Sequence, residues 1–566
     1  MRLAPVAAAL SLVLAAVSSG QAPTLPPALV ARIDSVFSDI DRTTSPGCAA
    51  AVYRDGKIVY ARGYGMANLE HGIAISPRSV FDIGSTSKQF TAAAIALLAQ
   101  DGKLSIDDDV RRFVPELPSY QRPVTLRHLL NHTSGIRDYL TLMSLRGENF
   151  DGVTTDDDAL ALILRQKATN FEPGSEFLYS NSGYFLLSVI VERVSGQTLA
   201  RFAHERMFAP LGMAHTHFHD DHTLVTPLRA TGYSPLPGGG FRIDMSGFEQ
   251  TGDGAVYTTV EDLLRWDANF FEPAVGGRRL LDDLHTQGKL NDGKTLPYAL
   301  GLFVDTYRGA RRVRHGGAWA GYRADLLRFP AFHTSVAALC NFGTANPGEY
   351  ADRIADIVLA DRLEKPVAAS KDGPAAASES GVRLPAAHLA KLAGQYRNAV
   401  SGETRVVTAG DGTISSSLVP GLPYVADDSA HFHLTIAPFT ATFESDGSGR
   451  VVRMIEQISG SAPTVFEPFT PVAVSPAQLG AYAGRYYAEE VDANFVVAAD
   501  SGRLTVRFGA APPRPLTPTV RDAFSAGGGT VVIFTRDAKA RITGLTVNAG
   551  RVRGIGARKE TVDGRR

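Results

Sequence analysis

A duplicated unit in the C-terminal part is the feature that most restricts how this chain can fold. A glycine–tyrosine pair recurs after 90 residues, and an aromatic–aspartate–arginine set recurs after 91. The repeated residues are Gly394, Tyr396, Phe443, Asp446 and Arg450, matched by Gly484, Tyr486, Phe534, Asp537 and Arg541. Each copy has short alternating apolar runs and glycine turns, which are typical of a small antiparallel barrel. The sequence therefore predicts two β-barrels, over residues 383–472 and 473–566.

The first twenty residues have the pattern of an export signal. A positive charge at Arg2 precedes the apolar run Leu3–Val17, and small residues follow as far as Gly20. This pattern is typical of a secretory signal peptide. It predicts a signal peptide over residues 1–20 and an exported protein, periplasmic or extracellular. An N-terminal membrane anchor is the alternative, because the run is near the short end for a span.

Composition narrows the partners that the chain can have. Lysine and arginine number 57 against 58 aspartate and glutamate residues, and no basic run stands out, so we expect no nucleic-acid partner. Two cysteines exclude a disulfide scaffold, a cysteine-rich zinc module and an iron–sulfur cluster. No later stretch approaches the roughly 18 apolar residues of a spanning helix, so we expect no stable membrane span after signal cleavage. The oligomeric state stays open.

A linker separates the barrels from a larger mixed region. Residues 365–382 are rich in proline and small residues without periodicity, which is typical of a linker. In the preceding region, residues 23–364, Asp55 and Gly56 lie between two strand-like runs and predict a hairpin turn. Helical patterns and further strands follow, at Gly84 onward, Gly183–Ser195, the capping-box pattern Thr258–Glu261, Arg323–Phe329 and Ser335–Phe342. Two strands, a helical block and more strands predict an α+β architecture.

The strongest local pattern is the pair Ser85 and Lys88. A helix is predicted to begin at Ser85 and to end at Asp101 and Gly102. Residues three apart share a helix face, so the Ser85 hydroxyl and the Lys88 amine can meet. The helix N-terminus would favour negative charge near the serine. Because both residue types are common, an ordinary helix surface is the alternative for this pattern alone.

A second motif is Tyr179-Ser180-Asn181, directly before a predicted helix. A tyrosine beside a lysine ammonium can have its pKa lowered, because the cation favours the phenolate. Tyr179 could then accept the serine proton, and the Asn181 amide could orient a substrate carbonyl or the lysine. A buried tyrosine and a helix-capping asparagine are the alternatives.

A third motif is His315-Gly316-Gly317-Ala318, which precedes a predicted strand. Glycines at a strand edge let another backbone or a ligand approach closely. The Ala318 N–H could then pair with the Ser85 N–H as an oxyanion hole, a type of site that stabilises the charge developing during acyl transfer. A plain turn is the alternative.

Taken together and in this order, the three motifs resemble the serine β-lactamase and penicillin-recognising enzyme superfamily, which carries a Ser-x-x-Lys signature. The stretches Leu129–Gly135, Pro210–Met213 and Gly252–Gly254 are similar to the same superfamily. The duplicated tail and the His-Gly-Gly motif are most similar to D-aminopeptidase-type proteins, which join a catalytic domain to two small barrels. The resemblance implies an α+β β-lactamase/DD-peptidase-like domain, an antiparallel sheet flanked by helices, followed by two lipocalin-like barrels.

The resemblance also implies a role for each motif residue. Ser85 would be the acylated nucleophile, and Lys88 with Tyr179 would transfer protons. Asn181 and His315, with Gly316 and Gly317, would position the substrate, and the N–H groups of Ser85 and Ala318 would form the oxyanion hole. No metal or cofactor is implied, and the substrate would be a small molecule or a peptide.

Two departures from the superfamily bear on specificity. His315 stands where many members have a lysine that holds the carboxylate of a β-lactam, which argues against efficient β-lactam hydrolysis. In D-aminopeptidase-type proteins a loop of the last barrel reaches into the cleft. Its apparent counterpart here, residues 524–530, is short and uncharged. This loop argues against strict aminopeptidase specificity and leaves room for an esterase or for a peptidase with a more open cleft. On the overall resemblance we expect a D-aminopeptidase-like peptidase, with an esterase of the class C β-lactamase type as the alternative.

Other classes of function have weaker support. Residues His217–His222 fit a His-x-His-x-Asp-His pattern that suits zinc in metallohydrolases, although a surface histidine-rich loop explains it as well. A non-catalytic binding or sensor protein would not need the serine, lysine and tyrosine together. In the fold that the resemblance implies, Cys48 and Cys340 lie on neighbouring antiparallel strands, so either a disulfide or two buried thiols is expected.

Overall fold

The computed structural model describes residues 24–365, 382–410, 412–419, 422–434, 439–458 and 463–560. The predicted signal peptide lies outside these residues, as does the predicted linker apart from its end residues 365 and 382. Within the described ranges, no helix has both the length and the apolar character needed to cross a bilayer.

A six-stranded antiparallel sheet forms the centre of the first region. Its strands are β1 (Cys48–Arg54), β2 (Lys57–Tyr64), β3 (Phe303–Tyr307), β4 (Ala310–Trp319), β5 (Tyr322–Phe329) and β6 (Thr334–Cys340). They lie in the order β3-β4-β5-β6-β1-β2, so the two ends of the region meet in the middle of the sheet. Asp55 and Gly56 form the β1–β2 turn, both with positive φ, as the sequence predicts.

Helices cover both faces of the sheet, and β1 shows why. Its even-numbered residues Cys48, Ala50 and Val52 belong to one buried cluster, whereas Ala49, Ala51 and Tyr53 belong to another. The helices of this region are Pro27–Val36, Lys88–Gln100, Leu126–Leu130, Tyr139–Arg146, Asp156–Leu164, Asn181–Ser195, Leu199–Ala203, Ala209–Leu211, Val260–Asn269, Gly277–His285 and Pro347–Val358. The helix predicted to open at Thr258 begins two residues later, because Thr259 is its N-cap.

Short strands complete the first region. Phe81–Asp82, Val256–Thr258 and His217–Phe218 form a three-stranded sheet with Val256–Thr258 in the middle. The two-stranded pairs are Met66–Asn68 with Ile73–Ala74, Val153–Thr154 with Gly247–Phe248, and Tyr233–Pro235 with Phe241–Ile243.

Two closed eight-stranded barrels follow. The first has strands Gly394–Arg397, Thr404–Gly410, Thr413–Ser416, Pro423–Ala426, His431–His433, Phe439–Ser445, Val451–Ile458 and Thr464–Pro468. The second has strands Gly484–Ala488, Ala493–Asp500, Arg503–Phe508, Arg514–Pro518, Ala523–Ser525, Thr530–Arg536, Ile542–Ala549 and Val552–Lys559. Short helices, Ala386–Leu392 and Pro476–Leu479, precede them.

The repeated residues make equivalent contacts in the two barrels. The buried Tyr396 and Tyr486 each donate a 2.6 Å hydrogen bond to a carbonyl four residues earlier, just before the first strand. Each tyrosine also packs edge-on against the repeated phenylalanine, Phe443 or Phe534. The repeat therefore anchors the first strand of each barrel to the barrel interior.

The second barrel packs against the first region. Its interior belongs to the same buried cluster as the helices beside the sheet. The two backbones touch at Gly147 and Gly509, where a Cβ on Gly509 would stand 1.8 Å from the Arg146 carbonyl oxygen.

A disulfide joins two neighbouring strands of the central sheet. Cys48 of β1 pairs in register with Cys340 of β6, and the two are bonded. The disulfide, rather than two thiols, is therefore what the structure shows.

Candidate active site

Ser85 lies in a single 3₁₀ turn, Gly84–Ser87, that leads into the helix Lys88–Gln100. The sequence predicts a helix from Ser85 itself, and the tighter turn is the difference. The Asp82 carboxylate accepts a 2.7 Å hydrogen bond from the Gly84 N–H, and Gly84 has a φ of 47°. Side chains three apart nearly eclipse each other in a 3₁₀ turn, so Lys88 Nζ lies 3.0 Å from Ser85 Oγ.

The Lys88 amine is fully buried and has two further partners. It lies 3.0 Å from Asn181 Oδ1 and also donates to the Asp253 carbonyl oxygen. Both of these oxygens can only accept hydrogen bonds. A neutral amine has two N–H donors and one lone pair, so its donors are used by these two oxygens. The lone pair then faces the Ser85 hydroxyl.

Burial favours this neutral form. It lowers the pKa of Lys88 well below the ordinary lysine range, and the nearby Arg551 guanidinium lowers it further. The Asp253 and Asp138 carboxylates oppose the shift without cancelling it. A lysine that loses its proton near neutral pH can take the proton of a serine hydroxyl.

Tyr179 is close to Lys88, as expected, but its pKa is shifted in the opposite direction to the one expected. Its ring centroid lies 4.9 Å from Lys88 Nζ, so the motif residues do meet. Burial of the hydroxyl nevertheless raises the pKa of Tyr179, and this outweighs the opposing effects of Ser85 and Arg551. The expected lowering of the Tyr179 pKa by the lysine is therefore wrong. In the free site Tyr179 is a neutral phenol, which suits a proton donor better than a base.

The loop 131–138 holds the Tyr179–Asn181 segment in place. The Asp138 carboxylate accepts a 2.7 Å hydrogen bond from the Asn181 N–H at the start of a helix, where a negative charge is stabilising. His132 Nδ1 accepts from the Ser180 N–H, and its ring packs 4.1 Å from the Tyr179 ring. These contacts were missed from the sequence, although Leu129–Gly135 resembles the superfamily.

His315 is buried and neutral. Burial lowers the pKa of His315 to about 3, with a further contribution from Lys88. Its Nδ1 lies 2.6 Å from the Gly316 carbonyl oxygen and its Nε2 lies 3.0 Å from the Tyr298 hydroxyl. Both ring nitrogens thus have protein partners, so this imidazole does not offer a cation to a substrate carboxylate.

The two glycines after His315 let strand β4 approach the serine turn. Strand β3 pairs with β4 only as far as Arg314, so residues 315–319 present a free edge there. A Cβ on Gly317 would stand 1.8 Å from the Ile83 carbonyl oxygen, and a Cβ on Gly84 would stand 2.7 Å from the Ala318 nitrogen. Both distances are too short for a side chain, so the two backbones can be this close only with glycine at these positions. A hydrogen bond from Thr86 Oγ1 to the His315 carbonyl fixes the contact. Ser85 and Ala318, the expected oxyanion pair, thus belong to segments in direct backbone contact.

The segment of the second barrel that reaches the site differs from the expected one. A Cβ on Gly529, in the loop 524–530, would contact Glu403 of the first barrel. The hairpin turn between Ile542–Ala549 and Val552–Lys559 reaches the site instead. Its Arg551 places the guanidinium carbon 4.8 Å from the Tyr179 ring centroid. The expectation for 524–530 is therefore wrong, because only the docking of the barrel decides which turn faces the cleft.

The histidine-rich stretch does not form the arrangement that its pattern suggests. His217 and His219 pack against Tyr257, and burial lowers the pKa of His219 to about 4. His222 instead lies 2.7 Å from Glu249 Oε1. Among the described residues, the group that could hold a metal is Asp221, His222 and Glu249, all partly exposed.

A serine hydroxyl lies beside a buried lysine whose neutral form is favoured, on a turn that packs against a sheet edge. This arrangement is typical of a serine hydrolase of β-lactamase-like fold. The Beta-lactamase family model matches residues 33–361, and the chain belongs to this family.

Named relatives agree with this assignment. The chain is 28% identical over 541 residues to a D-aminopeptidase of Brucella anthropi, covering 91% of this chain and 95% of that one. It is 30% identical over 304 residues to penicillin-binding protein 4* of Bacillus subtilis, covering 50% and 66%. The octameric penicillin-binding protein homologue from Pyrococcus abyssi shares the fold, with a TM-score of 0.55, 23% identity and coverage of 78% and 99%. Within the family, the chain is a serine hydrolase of the D-aminopeptidase type.

Proposed function

We propose that this protein is an exported D-aminopeptidase-like peptidase that cleaves amide bonds through an acyl-enzyme on Ser85. The observation that carries the proposal is the position of Lys88 Nζ, which lies 3.0 Å from Ser85 Oγ and bonds two oxygens that can only accept. In the neutral amine those two oxygens use both N–H donors, so the lone pair is left for the Ser85 proton. This arrangement prepares a nucleophile and its base in the free enzyme.

The catalytic steps follow from the positions of the groups. Neutral Lys88 takes the proton of the Ser85 hydroxyl as Oγ attacks the substrate carbonyl carbon. The N–H groups of Ser85 and Ala318 stabilise the negative oxygen. The neutral phenol of Tyr179 gives its proton to the departing nitrogen, and the C–N bond breaks. Water then attacks the acyl-enzyme, with the same groups exchanging protons in reverse, and Ser85 is restored.

Other features support the stereochemical and cellular parts of the proposal. The similarity to a D-aminopeptidase extends over the barrels as well as the catalytic region. The apolar run Leu3–Val17 supports export, and so does the disulfide Cys48–Cys340, because disulfides persist in oxidising compartments. Cell fractionation with N-terminal sequencing of the recovered protein tests export: recovery in the cytoplasm with an intact leader would contradict it.

The first test of activity is hydrolysis of D-alanine p-nitroanilide by the wild type, beside Ser85→Ala. We expect Ser85→Ala to lose at least about 10³-fold in kcat, since the nucleophile is removed. Ser87→Ala is the matched control: the Ser87 hydroxyl is in the same turn but accepts from the Val256 N–H, so we expect this variant to keep most activity.

The other outcomes separate the alternatives. Turnover of short-chain esters without turnover of the anilide would identify an esterase. Activity that survives Ser85→Ala but is lost with a zinc chelator would reject the serine mechanism. The L-alanine anilide is the control for stereochemistry, and equal rates on both enantiomers would reject the D-specific part of the proposal.

A further inference from the structure

Arg551 is a cation from the second barrel that stands at the catalytic tyrosine. Its side chain is 43% exposed. Within the described residues, its guanidinium makes one ion pair, at 3.8 Å from Asp138 Oδ2, and donates no hydrogen bond. An arginine has five N–H donors suited to binding a carboxylate in a two-pronged manner. This one is therefore open to an anionic ligand.

The hairpin that carries Arg551 is firmly held. Asn170 donates a 2.9 Å hydrogen bond to the Arg551 carbonyl oxygen and accepts one of 2.7 Å from the Arg553 N–H. The buried Arg137 donates a 2.8 Å hydrogen bond to the Arg553 carbonyl oxygen and bonds the Glu490 carboxylate of the same barrel. The backbone is thus bonded at Arg551 and at Arg553, which fixes the turn that places the Arg551 guanidinium over the Tyr179 ring.

We propose that Arg551 is a specificity-determining residue that binds a carboxylate on the leaving group of the substrate. The inference rests on the proposed function, in which Tyr179 gives its proton to the departing nitrogen. In a leaving amino acid, the carboxylate carbon is about 2.5 Å from that nitrogen. A carboxylate so close to the nitrogen that Tyr179 protonates lies beside the ring over which Arg551 is placed.

Other groups in the site do not supply this contact. His315 is neutral with both nitrogens occupied, and Lys88 is buried and bonded to Ser85, Asn181 and the Asp253 carbonyl. The preferred substrates are therefore peptides whose C-terminal residue leaves with a free carboxylate, rather than simple amides or anilides.

The experiment compares D-alanyl-glycine with D-alanyl-glycinamide, which differ only in the leaving-group carboxylate. The readout is kcat/KM for release of D-alanine. We expect the wild type to prefer the free acid by about 10- to 100-fold, the range of a charge-assisted hydrogen bond. Arg551→Gln should reduce this preference to near unity. Arg553→Gln removes the same charge from the same hairpin, but its guanidinium bonds Glu176, so the preference should remain.

Each other outcome of this experiment would overturn one particular part of the inference. An unchanged acid-to-amide ratio in Arg551→Gln, or a wild type that prefers the amide, would overturn the role of Arg551. Turnover of D-alanine p-nitroanilide with none of either dipeptide would overturn the leaving-group assignment while leaving the proposed function intact. Absence of Ser85-dependent turnover on all three compounds would overturn the proposed function, and the inference with it.

Discussion

Replacing Gly317 by alanine tests how the sheet edge meets the serine turn. The new Cβ would stand 1.8 Å from the Ile83 carbonyl oxygen, whereas real Cβ contacts do not fall below 3.0 Å. The clash is between backbone atoms, which cannot rotate away as a side chain can, so strand β4 must move about 1 Å from the turn. Overpacking of this kind costs about 1–3 kcal/mol of stability. The retreat also weakens the hydrogen bond from Thr86 to the His315 carbonyl.

The catalytic effect should be larger than the effect on stability. The same displacement carries the Ala318 N–H away from the serine. Loss of one oxyanion donor lowers kcat by about 10²- to 10³-fold. We therefore expect Gly317→Ala to remain folded and to lose kcat in this range on D-alanine p-nitroanilide, with little change in KM.

Gly316→Ala is the matched control in the same motif. Its Cβ would stand 3.3 Å from a side-chain oxygen of Asp325, which can give by a few tenths of an ångström. We expect less than about a tenfold loss of kcat, because the strand edge stays in place. Equal kcat values for folded Gly317→Ala and Gly316→Ala would refute the argument that this edge completes the catalytic site.

Three further predictions follow from the charges and the covalent link. Because burial lowers the pKa of Lys88, kcat/KM should rise with pH and level off well below the ordinary lysine value of 10.5; a pH profile whose limb lies near 10.5 would contradict the neutral base. Glu490→Ala leaves a buried arginine without its carboxylate and should lower the free energy of unfolding in urea by about 3 kcal/mol, whereas the exposed neighbour change Glu489→Ala should leave the transition unchanged. Denatured, unreduced protein should show no free thiol, because Cys48 and Cys340 are bonded, and a count of two would contradict the disulfide.

Much of the fold was predictable because its signals are local. The Asp55-Gly56 turn, the two final strands of the sheet and the paired barrels each follow from patterns within a few residues or from the repeat itself. Helix boundaries were less accurate. The turn at Ser85 is 3₁₀ because Gly84 bonds the Asp82 carboxylate and packs on strand β4, which is distant in sequence.

The candidate site was predictable in its residues but not in its protonation. The spacing of Ser85 and Lys88 brings them together whatever the rest of the chain does, since the geometry of one turn fixes it. The direction of the Tyr179 pKa shift was wrong because it depends on burial of the hydroxyl, which no local pattern records.

By itself, the sequence determined that Ser85 and Lys88 meet, that a glycine-rich strand edge follows His315 and that two barrels end the chain. Short-range backbone geometry and repetition specify these features. Tertiary structure alone decided that Lys88 is desolvated, that both nitrogens of His315 are occupied, and that the turn carrying Arg551 faces the cleft. Desolvation and docking arise from contacts such as that between Arg137 and Arg553, which are 416 residues apart. Such contacts form only when separate regions pack together, so no local pattern can encode them.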